Sequence, residues 1–253
     1  MVAATTAPRL SVVIPAYNEA LRLGPTIEEV VAYLRAQPWA SELIVVDDGS
    51  SDRTAELARE LLDGAPISHE VLVNERNRGK GYSVKRGMTR STGELALFSD
   101  ADLSTPIEHT ADLMAAIEAG ADIAIGSRVA PGADIEVHQP LLREMAGRMF
   151  SVVQRGILGS GIKDTQCGFK MFTREAVELV SPHQRLERWA FDAELIFIAL
   201  RLGLRVVEVP VHWRNDAESK VSALTDGMQM VADLAAIRRM HAGLRPIRRK
   251  RDA

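Results

Sequence analysis

Five short apolar runs, each closing on a polar or charged cluster, occupy the first half of this 253-residue chain: Leu10–Ile14, Glu42–Asp48, His69–Asn74, Leu95–Phe98 and Ala121–Gly126. Apolar runs of this length read as buried strands, and the stretches between them carry apolar residues at helical spacing, as at Ile27, Val30, Val31 and Leu34. Strands alternating with helices predict an α/β fold with a mostly parallel sheet flanked by helices. Ligands of such sheets bind beyond the carboxyl ends of the strands. At those ends stand Tyr17 and Glu19, Asp47 and Asp48, Lys80, Asp100 and Asp102, and Ser127 and Arg128. A site at that sheet edge is the first functional expectation.

Beyond Arg128 the pattern loosens. A loop is expected over Val129–Gln139 and a helix over Leu141–Leu158 carrying Arg143, Arg148 and Arg155. Lys163–Phe172 reads as a polar turn entering a short strand, and Arg188–Glu194 leads into an apolar helix ending near Arg201. Val206–Pro210 reads as a strand, antiparallel or on the edge, which Val211–Trp213 extends. No Gly-, Ser- or Pro-rich linker divides the chain. One domain over 1–243 is expected, with a nucleotide-binding half at about 10–128, an acceptor half at about 129–243, and a basic tail at 244–253.

A net charge of −3 gives no pull toward nucleic acid, and a lone cysteine, Cys167, excludes an internal disulfide or a thiolate metal site. No basic–apolar–small pattern opens the chain, and no stretch approaches the ~18 apolar residues of a membrane span. A cytoplasmic protein, or one peripheral on the cytosolic face of a membrane, is expected. Leu224, Met228, Val231, Leu234 and Ile237 form an apolar helical face before Arg238, Arg239, Arg245, Arg248, Arg249, Lys250 and Arg251. That face reads either as a packed helix with a solvated tail or as an interfacial helix with a polybasic anchor.

The chemistry concentrates in a few stretches. If the backbone stays extended, Asp100 and Asp102 point the same way, and paired carboxylates suit a hard cation such as Mg²⁺ or Mn²⁺. Gly79-Lys80-Gly81 lacks P-loop spacing, yet its lysine can meet a diphosphate as a point charge. Asp47 and Asp48 read as ribose or base acceptors, or as helix caps. Histidines at metalloprotease spacing and a serine nucleophile elbow are both absent.

Val12-Val-Ile-Pro-Ala-Tyr-Asn-Glu19, Val45-Val-Asp-Asp-Gly-Ser-Ser-Asp52, Asn77-Arg-Gly-Lys-Gly81 and Asp100-Ala-Asp102 together resemble the inverting family-2 glycosyltransferases of GT-A, Rossmann-like fold. The resemblance runs in order from about Leu10 to Trp213. Gly126-Ser-Arg128, Asp164-Thr-Gln-Cys-Gly-Phe-Lys170 and Arg188-Trp-Ala-Phe-Asp192 look most like the polyprenyl-phosphate branch, within it the dolichyl-phosphate β-glucosyltransferases. The resemblance implies glucose transfer from UDP-glucose to a polyprenyl phosphate; GDP-mannose as donor, or a soluble acceptor, are the alternatives. It implies that Pro15, Tyr17, Glu19 and one or both of Asp47 and Asp48 hold the uridine, with Lys80, Asp100 and Ala101 beside the nucleotide. Asp102 would be the principal ligand of Mg²⁺ or Mn²⁺, with Asp100 in support. Arg128 and Arg143 or Arg148 would bind acceptor phosphate. Asp164 would sit near the anomeric centre, and Lys170, Trp189 and Asp192 would line the sugar and acceptor cleft. Ser104 stands where many relatives carry glutamine. Peripheral membrane contact and a homodimer are the remaining partner expectations.

Overall fold

The computed structural model describes residues 7–135, 154–157, 159, 161–214 and 225–247. Its main sheet has seven strands in the order β3-β2-β1-β4-β7-β5-β8. These are β1 (Leu10–Ala16), β2 (Ser41–Asp47), β3 (Ser68–Val73), β4 (Leu95–Ser99), β5 (Ile123–Ser127), β7 (Phe169–Thr173) and β8 (Val206–Pro210). The β1–β2, β2–β3, β1–β4 and β5–β8 pairs are parallel, whereas β7 runs antiparallel to both β4 and β5. The Rossmann-like expectation holds, with one departure that matters for the site. β5 does not pair with β4; β7 is inserted between them.

That insertion positions the turn that precedes β7. Because β7 runs against its neighbours, its leading end lies at their carboxyl edge, with Phe169 opposite Ser99. The turn entering β7, residues 164–168, therefore lands beside Asp100, whose N–H donates to the Gly168 carbonyl (3.1 Å).

Both sheet faces are buried. One cluster joins Leu10, Val12, Ile14, Leu97, Phe169 and Met171 to helix α1 (Leu23–Arg35) and helix α4 (Thr110–Glu118). The other joins Val13, Ala96, Phe98 and Phe172 to α3 (Lys80–Arg90), α5 (Arg174–Val180) and α6 (Phe191–Arg201). Successive strand residues thus go to opposite faces, and near-continuous apolar runs satisfy both. Helix α2 (Thr54–Leu62) follows β2. The first apolar run, Leu10–Ile14, continues as β1 through Pro15 to Ala16; β4 pairs only as far as Val13, so no ladder donor is required of Pro15 on that side. A 3₁₀ turn, Ile107–His109, precedes α4.

β8 is an edge strand, parallel to β5 rather than antiparallel. Val211–Trp213 does not extend it. Instead β9 (His212–Trp213) pairs with β6 (Asp134–Ile135) in a separate two-stranded ribbon. Helix α7 (Thr225–Met240) packs on α6 through Leu234 and Ile237, both fully buried against Ala193 and Phe197. The packed-helix expectation is met there, and these two residues are not free to enter an interface. Leu224 and Arg248–Arg251, with Arg143 and Arg148 and most of the helix expected over 141–158, lie outside the described residues.

Candidate active site

Asp100 and Asp102 occupy a tight turn after β4, not an extended segment, so the two carboxylates have different partners. Asp100 forms an ion pair with Lys80 at the start of α3. Asp102 accepts from the Ser104 N–H (3.0 Å), and Leu103 between them has φ 45°. A leucine in the left-handed region is strained, a condition that persists where surrounding structure imposes it. Burial pushes the Asp102 carboxyl above its ordinary value, and the Asp100 charge adds to that. A hard cation would relieve this charge crowding. Among the described residues no group of three or more His, Cys, Asp or Glu could hold a metal by itself. Two carboxylates fit Mg²⁺ or Mn²⁺ when substrate phosphates complete the shell.

Gly168 is part of the same construction. A Cβ there would lie 2.0 Å from Asp100 Oδ2, so only glycine lets the carboxylate sit against this backbone. Gly79 and Gly81 serve close approach as well. Gly79 has φ 109°, and a Cβ on it would meet the Glu187 carbonyl at 2.5 Å; one on Gly81 would meet Phe191 at 2.6 Å. The glycine turn is thus pressed onto the 186–191 loop while Lys80 turns to Asp100. Burial works against the Lys80 charge, but Asp100 and Asp192 outweigh it and hold the ammonium above its ordinary value.

The two adjacent aspartates after β2 also separate. Asp48 is consumed by the 74–79 loop, accepting from Asn74 Nδ2 (2.6 Å), Arg78 N (3.1 Å) and Gly79 N (2.7 Å). Asp47 accepts from Ser50 N through Oδ2 (3.2 Å), whereas its buried Oδ1 has no hydrogen-bond partner among the described residues. Glu19 is bound by Arg22 through two hydrogen bonds (2.8 and 3.0 Å), Pro15 is buried in β1, and Tyr17 is exposed. The Ala101 carbonyl accepts from Thr26 Oγ1 (2.6 Å), fixing the turn to α1.

At the ends of β5 and β7, Arg128 and Asp164 form one unit. Asp164 accepts from Arg128 N (2.9 Å), Nε (2.8 Å) and Nη2 (2.8 Å), and from Gln166 N (3.3 Å). Burial opposes both charges. For Asp164 the Arg128 charge and hydrogen bonds win, leaving the carboxyl below the usual carboxylate range. Arg128 is likewise held above its ordinary value by Asp164 against burial. The guanidinium lies 5.3 Å from the Trp213 ring centroid. With its Nε–Nη2 edge on Asp164, its remaining N–H groups are directed elsewhere.

Lys170 and Asp192 are not cleft-lining. Lys170 is fully buried in β7, paired with Asp192 and donating to the Cys167 carbonyl (2.6 Å), with its ammonium 4.9 Å from the Phe98 centroid. Burial raises the Asp192 carboxyl despite Lys170. This pair lies beneath the site and braces it. Trp189 is half-buried in the loop before α6. Two supports were not anticipated. Glu208 of β8 accepts from Ser127 Oγ (2.8 Å), Asp164 N (2.9 Å) and Lys163 N (3.0 Å). Glu194 of α6, fully buried, accepts from Leu186 N (2.8 Å) and meets His241 Nε2 at 2.7 Å. A charge inside an apolar run was the available signal for both.

Comparison with known proteins identifies the family and the fold. The Glycosyl transferase family 2 profile matches residues 11–180. The dolichyl-phosphate beta-glucosyltransferase of Dictyostelium discoideum is 36% identical over 240 residues, 90% of this chain and 73% of its own. The human protein of that name is 35% identical over 246 residues, 91% of this chain and 75% of its own. Among solved structures, mannosyl-3-phosphoglycerate synthase from Rubrobacter xylanophilus superimposes with a TM-score of 0.66 at 20% identity, over 92% of this chain and 74% of that one. Glucosyl-3-phosphoglycerate synthase from Mycobacterium tuberculosis, in complex with Mn²⁺, UDP-glucose and phosphoglyceric acid, gives 0.64 at 19% identity, over 94% and 80%. The chain belongs to glycosyltransferase family 2 and is a glycosyltransferase of GT-A fold.

Proposed function

We propose that the chain transfers glucose from UDP-glucose to a polyprenyl phosphate of the dolichyl type, with inversion and with Mg²⁺ or Mn²⁺. The reading is carried by identity of 32–38% over at least 90% of the chain to several dolichyl-phosphate beta-glucosyltransferases. Asp47 Oδ1, buried and unpaired, is suited to an N–H of the uracil ring, while Asp48 shapes the loop around it. Pro15, Tyr17 and Glu19, at the end of β1 and just after it, are proposed to flank the same nucleoside. Asp102, seconded by Asp100, would hold the ion. A bound divalent ion neutralises charge developing on the diphosphate leaving group. Lys80 lies next to that position, on Asp100.

The acceptor step needs orientation more than proton removal. A phosphate oxygen is already anionic at neutral pH and can attack the anomeric carbon directly, displacing UDP from the opposite face. Arg128, locked by Asp164, offers the N–H groups that the carboxylate leaves over, and guanidinium binds phosphate oxygens in pairs. Asp164 has its oxygens engaged and its carboxyl low, so it serves as the anchor of Arg128 rather than as a base. Arg143 and Arg148 are proposed to add to the acceptor site. A lipid-phosphate acceptor would bring the protein to a membrane surface; no described helix is long and apolar enough to cross one.

A donor panel tests this reading. With polyprenyl phosphate, Mn²⁺ and radiolabelled UDP-glucose, label should enter the lipid fraction. Label entering from GDP-mannose and not from UDP-glucose would overturn the donor assignment.

A further inference from the structure

β8 is an edge strand of four apolar residues and one carboxylate, Glu208. A charge on an edge strand often only guards against pairing with another chain, and such a charge faces solvent. Glu208 does not behave that way. It is half-buried, and both oxygens are occupied: Oε1 accepts from Ser127 Oγ (2.8 Å) and Asp164 N (2.9 Å), Oε2 from Lys163 N (3.0 Å). Ser127 ends β5 immediately before Arg128, and Lys163–Asp164 opens the turn into β7. Glu208 therefore ties the two backbone segments that carry Arg128 and Asp164, 36 residues apart in sequence.

We infer that Glu208 is a positioning residue of the acceptor step. It fixes the Asp164 backbone against the end of β5, so that Asp164 can grip Arg128 at its N–H, Nε and Nη2 at once and present the remaining guanidinium edge in one orientation to an acceptor phosphate. The inference rests on the reading of Arg128 as the acceptor ligand. The groups already placed on the donor side, Asp47, Lys80, Asp100 and Asp102, share no hydrogen bond with Glu208 among those the structure shows. Its loss therefore acts on one substrate only.

Glutamine is the informative replacement, because its amide puts a donor where a backbone N–H must be accepted. Glu208→Gln is expected to raise the acceptor KM about tenfold, the effect of losing a hydrogen bond to a charged group, while calorimetric UDP affinity with Mn²⁺ stays within about twofold. Ser127→Ala removes one contact without touching charge and keeps the test open if Glu208→Gln does not fold. It should shift acceptor KM in the same direction, by about threefold. Arg128→Ala separates the two claims. If its acceptor KM is unchanged, the reading of Arg128 fails and the inference with it. If Arg128→Ala is impaired and both other variants match the wild type, or if they weaken UDP binding and acceptor KM together, the role given to Glu208 alone is overturned.

Discussion

At the scale of single residues, the site is decided by which atoms are left over after the protein has used the rest. Adjacent aspartates that look equivalent in sequence are not: Asp48 has three donors from the 74–79 loop, whereas Asp47 keeps one buried oxygen unpaired. None of this was legible in the chain, because the donors come from residues 26 to 31 positions away. The same holds for Arg128 and Asp164, each identified as functional but not as a pair. Lys170, which the resemblance put in the sugar and acceptor cleft, is fully buried because β7 is inserted between β4 and β5. That burial has a measurable consequence. Lys170→Met removes the ion-pair partner of Asp192 in the core and should cost about 3–5 kcal/mol, whereas Lys170→Met with Asp192→Leu should recover most of it. Urea unfolding of the two variants checks this. Cys167 is fully buried, and burial is the main cause pushing its thiol up to about 11. A thiol with that value holds on the order of 0.1% thiolate at pH 8. A disulfide exchange reagent at pH 8 should label the native protein at least about 100-fold more slowly than the urea-unfolded chain.

At the scale of elements, the first half of the chain was readable and the second was not, for a physical reason. The strands to β4 are joined by single helices, and a right-handed crossover places each beside a neighbour. β7 follows a long excursion, and nothing local in Phe169–Thr173 says which strands it will separate or in which direction it will run. Its antiparallel entry is nevertheless what brings the 164–168 turn to Asp100. The tightest point of that contact is Gly168, so it is where the arrangement is most easily tested. Gly168→Ala must displace Asp100 or the turn, since the new Cβ would fall 2.0 Å from the carboxylate. A displacement of about 1 Å can cost about 100-fold in rate. Transfer activity should fall by about that factor, with far-UV circular dichroism unchanged; wild-type activity would mean that Asp100 is not held as described. Helix α7 shows the reverse case. Its apolar periodicity was plain in sequence, but two outcomes fitted it, and only the contacts with Ala193 and Phe197 choose packing.

At the scale of the whole molecule, the sheet edge carries two groups of candidate residues, one built on β1, β2 and β4, proposed to hold the donor, and one on β5, β7 and β8, proposed to hold the acceptor. Strand ends of six parallel-running elements and the leading end of one antiparallel strand converge there. The resemblance read from motif order anticipated the family and the GT-A fold. It did not anticipate the stack of supports at the ends of β5, β7 and β8, with Glu208 holding Asp164 and Asp164 holding Arg128. The stack leaves Asp164 no free oxygen with which to remove a proton. A nucleophile that requires deprotonation should therefore be a poor acceptor, and one that arrives as an anion a good one. Glucose transfer from labelled UDP-glucose, compared between polyprenyl phosphate and the matching free polyprenol, tests this most directly. The account predicts labelled lipid from the phosphate and none above background from the alcohol. Comparable transfer to the alcohol would contradict it.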